Sequence, residues 1–209
     1  MHKMNVMNTK DLLLEKALDL FSKEGYDAVS VRKLTRAIGI RESSFYNHYS
    51  AKKDLLNEIF RLMQKDLEQS KPASEEMKKL TTELSLEAYL VQSIDRFMEK
   101  WRKPHAAKVW SIISMEQYRN REAAAIILME TERALQKLEA AFKLFQQKNI
   151  MVAGDTSQLA RLYGYAIRSI HLEYSLRSFI SDDANPCLEK MYETARVFAR
   201  TYSKETPSQ

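Results

Sequence analysis

Hydrophobic residues recur every three or four positions along most of this chain, which is the spacing of one face of an α-helix. The first such stretch predicts a helix from Thr9 to about Glu24, and Gly25 suits the left-handed position that follows a helix. The inward positions of this helix are Leu13, Ala17, Leu20 and Phe21. Only four glycines and four prolines interrupt the chain, too few for many short strands, so the pattern predicts long helices.

Three further elements are predicted directly after the first helix. Ser30 is a favourable N-cap for a short second helix, which Gly39 ends in a tight turn. A third, polar helix is expected from about Glu42 to Tyr49, and a fourth with an apolar stripe begins near Lys52. Two helices joined by a glycine turn, the second of them polar, are typical of a helix-turn-helix unit.

The composition changes after Gln69. The stretch from Ser70 to Ser85 is polar and poorly periodic, so we expect a connector with a helical turn after Ser74. Helical periodicity then resumes, and only the last few residues are predicted to fray. The predicted helices cover residues 86–101, a stretch that opens at Pro104, and residues 121–148, 155–180 and 185–202.

The whole pattern predicts an all-α protein of about nine helices. A three-helix helix-turn-helix domain is expected at residues 1–53, and a carboxy-terminal helical bundle at residues 54–209. The longest apolar run, residues 123–129, is far shorter than the roughly 20 residues that span a bilayer. We therefore expect no membrane partner, and the absence of an apolar leader favours the cytoplasm.

The net charge of the chain is concentrated in one segment. The chain carries 33 basic and 28 acidic residues, a formal net charge of +5. Residues 28–53 contain six of these basic residues and one acid, Glu42, so this segment accounts for the whole net charge. A basic segment built around a short polar helix is suited to the phosphate backbone of DNA. A bundle that binds only proteins leaves this concentration of charge unexplained.

The segment from Thr9 to Leu56 resembles the TetR family of bacterial transcription repressors. KALDLFSKEGYDAVSVRKLTRAIGI is similar to the first two helices of that family, and RESSFYNHYSAKKDLL is similar to its recognition helix and the start of helix four. The chain departs from the family pattern at Arg41, where serine is common, and at Ser43, where glycine or alanine is common. These departures bear on which operator is bound.

The resemblance implies contacts with the DNA backbone for several residues. It assigns Tyr46 and Lys52 to phosphates, and Ser30 both to the cap of helix two and to a phosphate. Arg32 and Lys33, at the start of helix two, are placed to reach the backbone or a guanine edge.

The recognition helix supplies the residues expected to face the major groove. They are Arg41, Glu42, Ser43, Ser44, Asn47 and His48. An asparagine can pair with adenine, and a glutamate can accept a hydrogen bond from cytosine N4. For His48 the alternative is a ring packed against helix four.

One helix-turn-helix unit makes few contacts, so we expect a homodimer on a pseudo-palindromic site in double-stranded DNA. The last two predicted helices carry apolar stripes suited to pairing, and Gly164 suits a close approach of helices. The predicted dimer interface consists of Tyr163, Gly164, Ile167, Leu188, Met191, Tyr192, Ala195, Phe198, Ala199 and Tyr202. Ordinary packing within a monomeric bundle is the alternative.

TetR-like proteins commonly carry a small-molecule pocket in the carboxy-terminal region, and this chain has suitable residue types for one. The candidates are Phe97, Trp101, Trp110, Met115, Glu116, Tyr118, Arg168, His171 and Tyr174. Most aromatic residues and methionines at helical spacing fill a core. The polar members, Glu116, Arg168 and His171, are more informative because they need partners if buried.

No enzyme class or cofactor is indicated. The chain has no glycine-rich phosphate loop, no HExxH and no GxSxG motif. No metal is expected, because its four histidines and single Cys187 lack ligand spacing. The sequence favours a cytoplasmic dimeric transcription regulator, a repressor released by a small-molecule effector. The alternatives are an effector-free or protein-regulated DNA-binding protein of the same fold and, least favoured, a helical enzyme.

Overall fold

The computed structural model of the protein describes residues 8–69 and 74–204. Within these ranges the chain forms ten α-helices and no β-strand beyond an isolated bridge between Met151 and Ser203. The helices are α1 (Thr9–Glu24), α2 (Val31–Ala37), α3 (Glu42–Tyr46), α4 (Lys52–Gln69), α5 (Glu75–Glu83), α6 (Leu86–Arg102), α7 (Pro104–Glu116), α8 (Arg121–Gln147), α9 (Thr156–Phe179) and α10 (Asn185–Tyr202). The all-α prediction is confirmed. No helix in the described ranges is both long and apolar enough to cross a membrane.

Local capping groups set the ends of several helices where the sequence predicts them. The Asn8 side chain accepts a hydrogen bond from the Asp11 backbone N–H at 2.9 Å and opens α1. Ser30 Oγ accepts from the Lys33 backbone N–H at 3.1 Å and opens α2. At the start of α9, Asp155 accepts from the backbone N–H groups of Ser157 and Gln158.

Two elements differ from their prediction. Helix α3 ends at Tyr46 instead of Tyr49, because the Phe45 carbonyl accepts from the backbone N–H groups of both His48 and Tyr49 and closes the helix in a turn. Ser74 begins a nine-residue helix, α5, instead of a single turn, since its hydroxyl caps the Met77 N–H at 3.0 Å. Residues 70–73 of the predicted connector and the predicted frayed tail after residue 204 lie outside the described residues.

The chain divides into two compact units. The amino-terminal unit comprises residues 1–69 and 100–130, and the carboxy-terminal unit comprises residues 70–99 and 131–209. The predicted domain boundary between residues 53 and 54 stays a prediction, but packing places all of α4 and α7 with α1, α2 and α3. The fully buried side chains at the centre of the amino-terminal unit include Leu13, Phe21, Leu34, Phe45, Ile59 and Phe60.

The carboxy-terminal unit has a separate core of aromatic and aliphatic side chains. Phe142 of α8 stacks on Phe198 of α10, with ring centroids 5.3 Å apart. A Cβ atom at Gly164 of α9 would lie 2.6 Å from Leu135 Cδ2 and 3.1 Å from Leu138 Cδ1. The glycine therefore permits α9 to approach α8 of the same chain closely.

We expect Gly164→Ala and Leu135→Ala to be strongly coupled. Alanine favours a helix over glycine by about 1 kcal/mol, but at position 164 its methyl group displaces Leu135. Gly164→Ala alone should therefore gain little or lose stability. In the Leu135→Ala background only the 3.1 Å contact with Leu138 remains, so the same change should raise the free energy of unfolding by up to about 1 kcal/mol. Urea denaturation of the four proteins measures this coupling, and additive effects of the two changes would contradict it.

Candidate nucleic-acid interface

The turn between α2 and α3 fixes the direction in which α3 leaves the core. Gly39 has a φ of 73°, a left-handed value that glycine adopts without strain. The Thr35 carbonyl accepts from the backbone N–H groups of both Ile38 (3.3 Å) and Ile40 (3.0 Å), so the last turn of α2 keeps its hydrogen bonds. The Thr35 hydroxyl is buried and donates to the Val31 carbonyl at 3.1 Å.

Helix α3 is anchored by one side chain and presents the others outward. Phe45 is fully buried, and the ring of Tyr46 packs edge-on against it with a centroid distance of 5.3 Å. Tyr46 is still 57% exposed, which leaves its hydroxyl available to an external group. The other exposed residues of this segment are Arg41, Glu42, Ser43, Asn47 and His48, while Ser44 is half-buried. Exposure of His48 disfavours the alternative in which its ring packs against helix four.

A basic groove runs beside the start of α3. Three exposed arginines, Arg32, Arg36 and Arg41, line it together with Glu42. Thr35, Gly39 and Ile40 also line it. A short polar helix held over a packed support, with basic side chains along its edge, is the geometry by which a helix-turn-helix unit enters the major groove.

The family described as bacterial regulatory proteins, tetR family, matches residues 13–59 of this chain. That range contains α2 and α3 entirely, together with most of α1 and the first part of α4. The chain has a TetR-family amino-terminal domain. The resemblance inferred from the sequence is confirmed over the segment that carries the basic groove.

Two curated proteins are similar to the TetR-family domain. The HTH-type transcriptional regulator AcrR of Shigella flexneri is 31% identical over 65 residues, which are 31% of this chain and 30% of AcrR. IcaR of Staphylococcus epidermidis, an HTH-type negative transcriptional regulator of the biofilm operon icaADBC, is 33% identical over 46 residues, 22% of this chain and 25% of IcaR. The similarity thus spans less than a third of either relative.

The likeness in fold extends over almost the whole chain. The crystal structure of a transcriptional regulator from Saccharomonospora viridis in complex with choline has a TM-score of 0.64 at 15% identity. It covers 94% of this chain and 98% of that one. The helices that follow the TetR-family domain therefore also have a counterpart in a solved regulator.

Lys52 has a different environment from the phosphate contact that the sequence predicts. Its ammonium donates to the backbone carbonyls of Tyr26 and Val29, both at 2.8 Å, and lies 4.0 Å from the centre of the Tyr26 ring. These contacts tie the start of α4 to the segment between α1 and α2. The structure therefore assigns Lys52 to holding the TetR-family domain together, because two of its three N–H donors are directed inward.

The two basic residues at the start of α2 are paired with acidic side chains. Lys33 contacts the carboxylate of Glu24, and Arg32 Nε lies 4.0 Å from Glu42 Oε1. All four side chains are at least one third exposed, so these pairs stabilise the fold by less than about 1 kcal/mol. Both basic groups can therefore exchange their carboxylate for a phosphate at little cost.

The nine predicted pocket residues are divided between the two units. The amino-terminal unit contains Trp101, Trp110, Met115, Glu116 and Tyr118, and the carboxy-terminal unit contains Phe97, Arg168, His171 and Tyr174. The rings of Trp101 and Trp110 lie 4.8 Å apart and pack against the core of their own unit. Tyr118 is 92% exposed, so it does not line a pocket within that unit.

Glu116 lies among charged groups of the amino-terminal unit. It is buried at the end of α7, and this burial raises the pKa of its carboxyl group. Repulsion from Asp27 raises the pKa further, while Arg119 and Lys52 lower it. Because Asp27 also pairs with Arg119 at 3.2 Å, Glu116 belongs to a charge cluster beside the segment that Lys52 holds. The predicted role of Glu116 in a pocket has no support from these neighbours.

His171 is a buried member of an aromatic cluster in the carboxy-terminal unit. Its ring meets Phe97 edge-on at 4.7 Å and stacks on Tyr174 at 6.2 Å. Burial lowers the pKa of the imidazole to about 4, and the nearby charge of Arg168 lowers it further in the same direction. The imidazole is therefore neutral at physiological pH.

This burial predicts a loss of stability in mild acid. Between the unfolded pKa of 6.5 and the folded pKa of about 4, the unfolded chain binds a proton that the folded protein does not bind, so stability falls as the pH falls. From pH 7 to pH 5 the His171 contribution to the unfolding free energy should drop by about 2 kcal/mol. His171→Phe, which cannot titrate, should lose correspondingly less stability in urea unfolding at the two pH values. Equal losses in both proteins would contradict this assignment.

The predicted dimer residues lie mostly inside their own unit. Five of them, Tyr163, Met191, Ala195, Phe198 and Ala199, are buried in the core of the carboxy-terminal unit. The stripe on α10 is therefore the inward face of the helix, and Gly164 faces Leu135 of the same chain. Of the others, Ile167, Leu188, Tyr192 and Tyr202 are half-buried and pack against the same core.

The opposite face of α9 carries an apolar surface that the sequence prediction did not select. Its exposed side chains, here called the α9 stripe, are Leu162, Tyr165, Leu172, Leu176 and Phe179. They recur every three, four or seven positions, which places them on one side of the helix. The signal was present in the sequence, but α9 has apolar residues on both sides, and periodicity alone does not tell which side is inside.

Proposed function

We propose that this protein is a sequence-specific DNA-binding transcriptional regulator, a repressor that binds operator DNA as a homodimer and is released by a small molecule. The observation that carries the proposal is the exposed polar face of α3, held over a buried Phe45 anchor and bordered by three exposed arginines. AcrR and IcaR, which are similar to this domain, are transcriptional regulators, and IcaR is a negative one.

In this proposal α3 lies in the major groove. Ser43 of α3, Arg41 directly before the helix and Asn47 and His48 directly after it are exposed, and in this position they face base edges. The hydroxyls of Tyr46 and Ser30 and the ammonium of Lys33 contact phosphates on either side of the groove. The charge of residues 28–53 supplies a salt-dependent attraction to any DNA.

The homodimer is proposed to form through the α9 stripe. These five large apolar side chains are exposed on a single helix face, and exposed apolar residues grouped in this way are typical of interaction sites. A two-fold axis allows the stripe to pack against its own copy, so the same surface serves both protomers. Two linked recognition helices then bind two half-sites of a pseudo-palindrome.

Release by an effector requires a ligand that binds the DNA-free conformation more tightly than the DNA-bound one. The regulator from Saccharomonospora viridis was solved with choline, which supports a ligand site in a protein of this fold. In this chain the cluster of Phe97, His171 and Tyr174 supplies aromatic rings and a neutral imidazole in the carboxy-terminal unit. We propose this cluster as part of the effector site.

Tyr46→Phe tests the placement of α3 on DNA. The change removes only a hydroxyl, and the loss of one phosphate hydrogen bond should weaken binding about fivefold to every DNA sequence. Fluorescence anisotropy measures the affinity for two duplexes of equal length, one from the region flanking the protein's own gene and one scrambled. Tyr118→Phe, on the exposed turn after α7, is the matched control and should bind as the wild type does.

The same titrations test the proposed function as a whole. The wild-type protein should prefer the flanking duplex to the scrambled one, and its affinity should fall steeply with salt concentration. A protein that binds neither duplex at low salt is not a DNA-binding regulator. Equal affinities for Tyr46→Phe and the wild type on both duplexes would contradict the proposed position of α3.

A further inference from the structure

Glu42 places a negative charge in an otherwise basic segment. It is the one acidic residue in residues 28–53, where six residues are basic, and it occupies the first position of α3. Arg36 and Arg41 line the same groove, and Arg32 Nε lies 4.0 Å from Glu42 Oε1. A carboxylate repels phosphates, so if this groove faces DNA, Glu42 lowers its affinity for DNA in general.

The fold gains little from Glu42 in return. The side chains of Arg32 and Glu42 are 72% and 50% exposed, and ion pairs with this exposure contribute little to stability. Helix α3 has only five residues, so the interaction of an acid with its dipole is also small. Neither the ion pair nor the helix dipole explains the presence of an acidic residue that weakens DNA binding. A role of Glu42 in selecting bases explains it.

The side chains of Arg32 and Glu42 together match the major-groove edge of a C·G base pair. A carboxylate only accepts hydrogen bonds, and a guanidinium only donates them. In a C·G pair the cytosine N4 donor lies beside the guanine O6 acceptor at about 3 Å, with the N7 acceptor next to O6. The 4.0 Å separation of Arg32 Nε and Glu42 Oε1 fits these neighbouring groups.

An A·T base pair fits the Arg32–Glu42 pair less well. An A·T pair has one donor, adenine N6, between two acceptors that lie on either side of it, adenine N7 and thymine O4. A carboxylate can accept from that donor, but a guanidinium beside it then reaches only one acceptor. The bidentate contact of Arg32 is thereby lost, and with it most of the discrimination that such a contact provides.

We infer that Arg32 and Glu42 act as one reading unit that selects a C·G base pair in each operator half-site. The inference rests on the proposed function, since it requires α3 to lie in the major groove. Glu42 accepts from cytosine N4, and Arg32 donates to guanine O6 and N7. Because the two charges remain adjacent, the pair approaches the groove nearly neutral, and the repulsion between Glu42 and phosphates is reduced.

The test is selection from a pool of duplexes with a randomised 20-base-pair centre, using the wild-type chain, Glu42→Gln and Arg32→Ala. The wild type should enrich a two-fold symmetric motif with a C·G pair at one position of each half-site, preferred about 10- to 100-fold over A·T. In both variants the preference for C·G over A·T at this position should fall below about threefold. The rest of the motif should be retained. Circular dichroism verifies that each variant is folded.

Glu24→Gln is the matched control. It also removes an exposed carboxylate paired with a basic residue of α2, in this case Lys33, but it lies on α1. Its motif should be that of the wild type. A wild-type motif that survives Glu42→Gln unchanged overturns the inference, as does an Arg32→Ala protein that loses affinity equally for all duplexes without a change of motif. A wild type that enriches no motif contradicts the proposed function itself.

Discussion

Leu176→Glu is expected to convert the protein to a folded monomer with at least 100-fold weaker binding to its operator. Leu176 belongs to the carboxy-terminal half of the α9 stripe and is 57% exposed, so the glutamate is solvated in the monomer and costs little stability. In the proposed dimer the two-fold axis brings the change into the interface from both chains, where two unpaired carboxylates must be desolvated.

Operator affinity falls because the two recognition helices are no longer joined in one dimer. In a dimer, binding of the second half-site is intramolecular, which commonly strengthens overall binding by 10²–10⁴. A monomer keeps only the contacts of one α3. Sedimentation equilibrium gives the oligomeric state, and anisotropy titration at fixed salt concentration gives the affinity.

Leu128→Glu provides the control for this experiment. Leu128 is 70% exposed on α8 in the amino-terminal unit and lies outside the α9 stripe, so the same substitution there should leave both mass and affinity unchanged. If Leu176→Glu and Leu172→Glu both remain dimeric with wild-type affinity, the α9 stripe is not the dimer interface.

Lys52→Met is expected to lower the free energy of unfolding by about 2–3 kcal/mol. The methionine keeps an unbranched apolar chain but removes the ammonium, so the Tyr26 and Val29 carbonyls lose their donor and the Tyr26 ring loses its cation contact. Operator binding should weaken too, because α4 no longer holds the segment that leads into α2. Urea unfolding measures the first effect and anisotropy the second.

The salt dependence distinguishes this role from the phosphate contact implied by the family resemblance. A lysine that neutralises a phosphate contributes about one unit to the slope of log affinity against log salt, and its removal leaves stability almost unchanged. The structure predicts the reverse for Lys52, a stability loss with an unchanged slope. Lys53→Met, at the neighbouring exposed position, is the control and should not change stability.

The local elements of this protein are largely encoded by short-range sequence. Asn8, Ser30 and Asp155 cap helices through contacts with residues two or three positions away, and Gly39 allows a turn that few other residues adopt without strain. The bounds of α1 therefore agree with their prediction. The ends of α3 and α5 differ from their prediction. Helix α3 closes early at the Phe45 carbonyl, and α5 continues beyond the turn that Ser74 caps, with Met77 and Thr81 buried.

The outward face of α3 follows from the same local information. One large apolar residue, Phe45, in an otherwise polar segment determines which side of the helix is buried. The exposure of Asn47, His48 and Tyr46 could therefore be predicted, and so could the concentration of charge in residues 28–53. The pairing of Arg32 with Glu42 could not, since the two residues lie on different helices and meet only through the angle of the turn.

By itself the sequence determined an all-α chain, the position of the helix-turn-helix unit, its basic character and its resemblance to the TetR family. Only the tertiary structure decided the contacts of Lys52, whose carbonyl partners lie 23 and 26 residues away, and the inward side of α9. The physical reason is common to both. Capping and helical period act over one or two turns, whereas an ammonium on a distant carbonyl, or a helix with apolar residues on two sides, is placed by the packing of neighbouring elements.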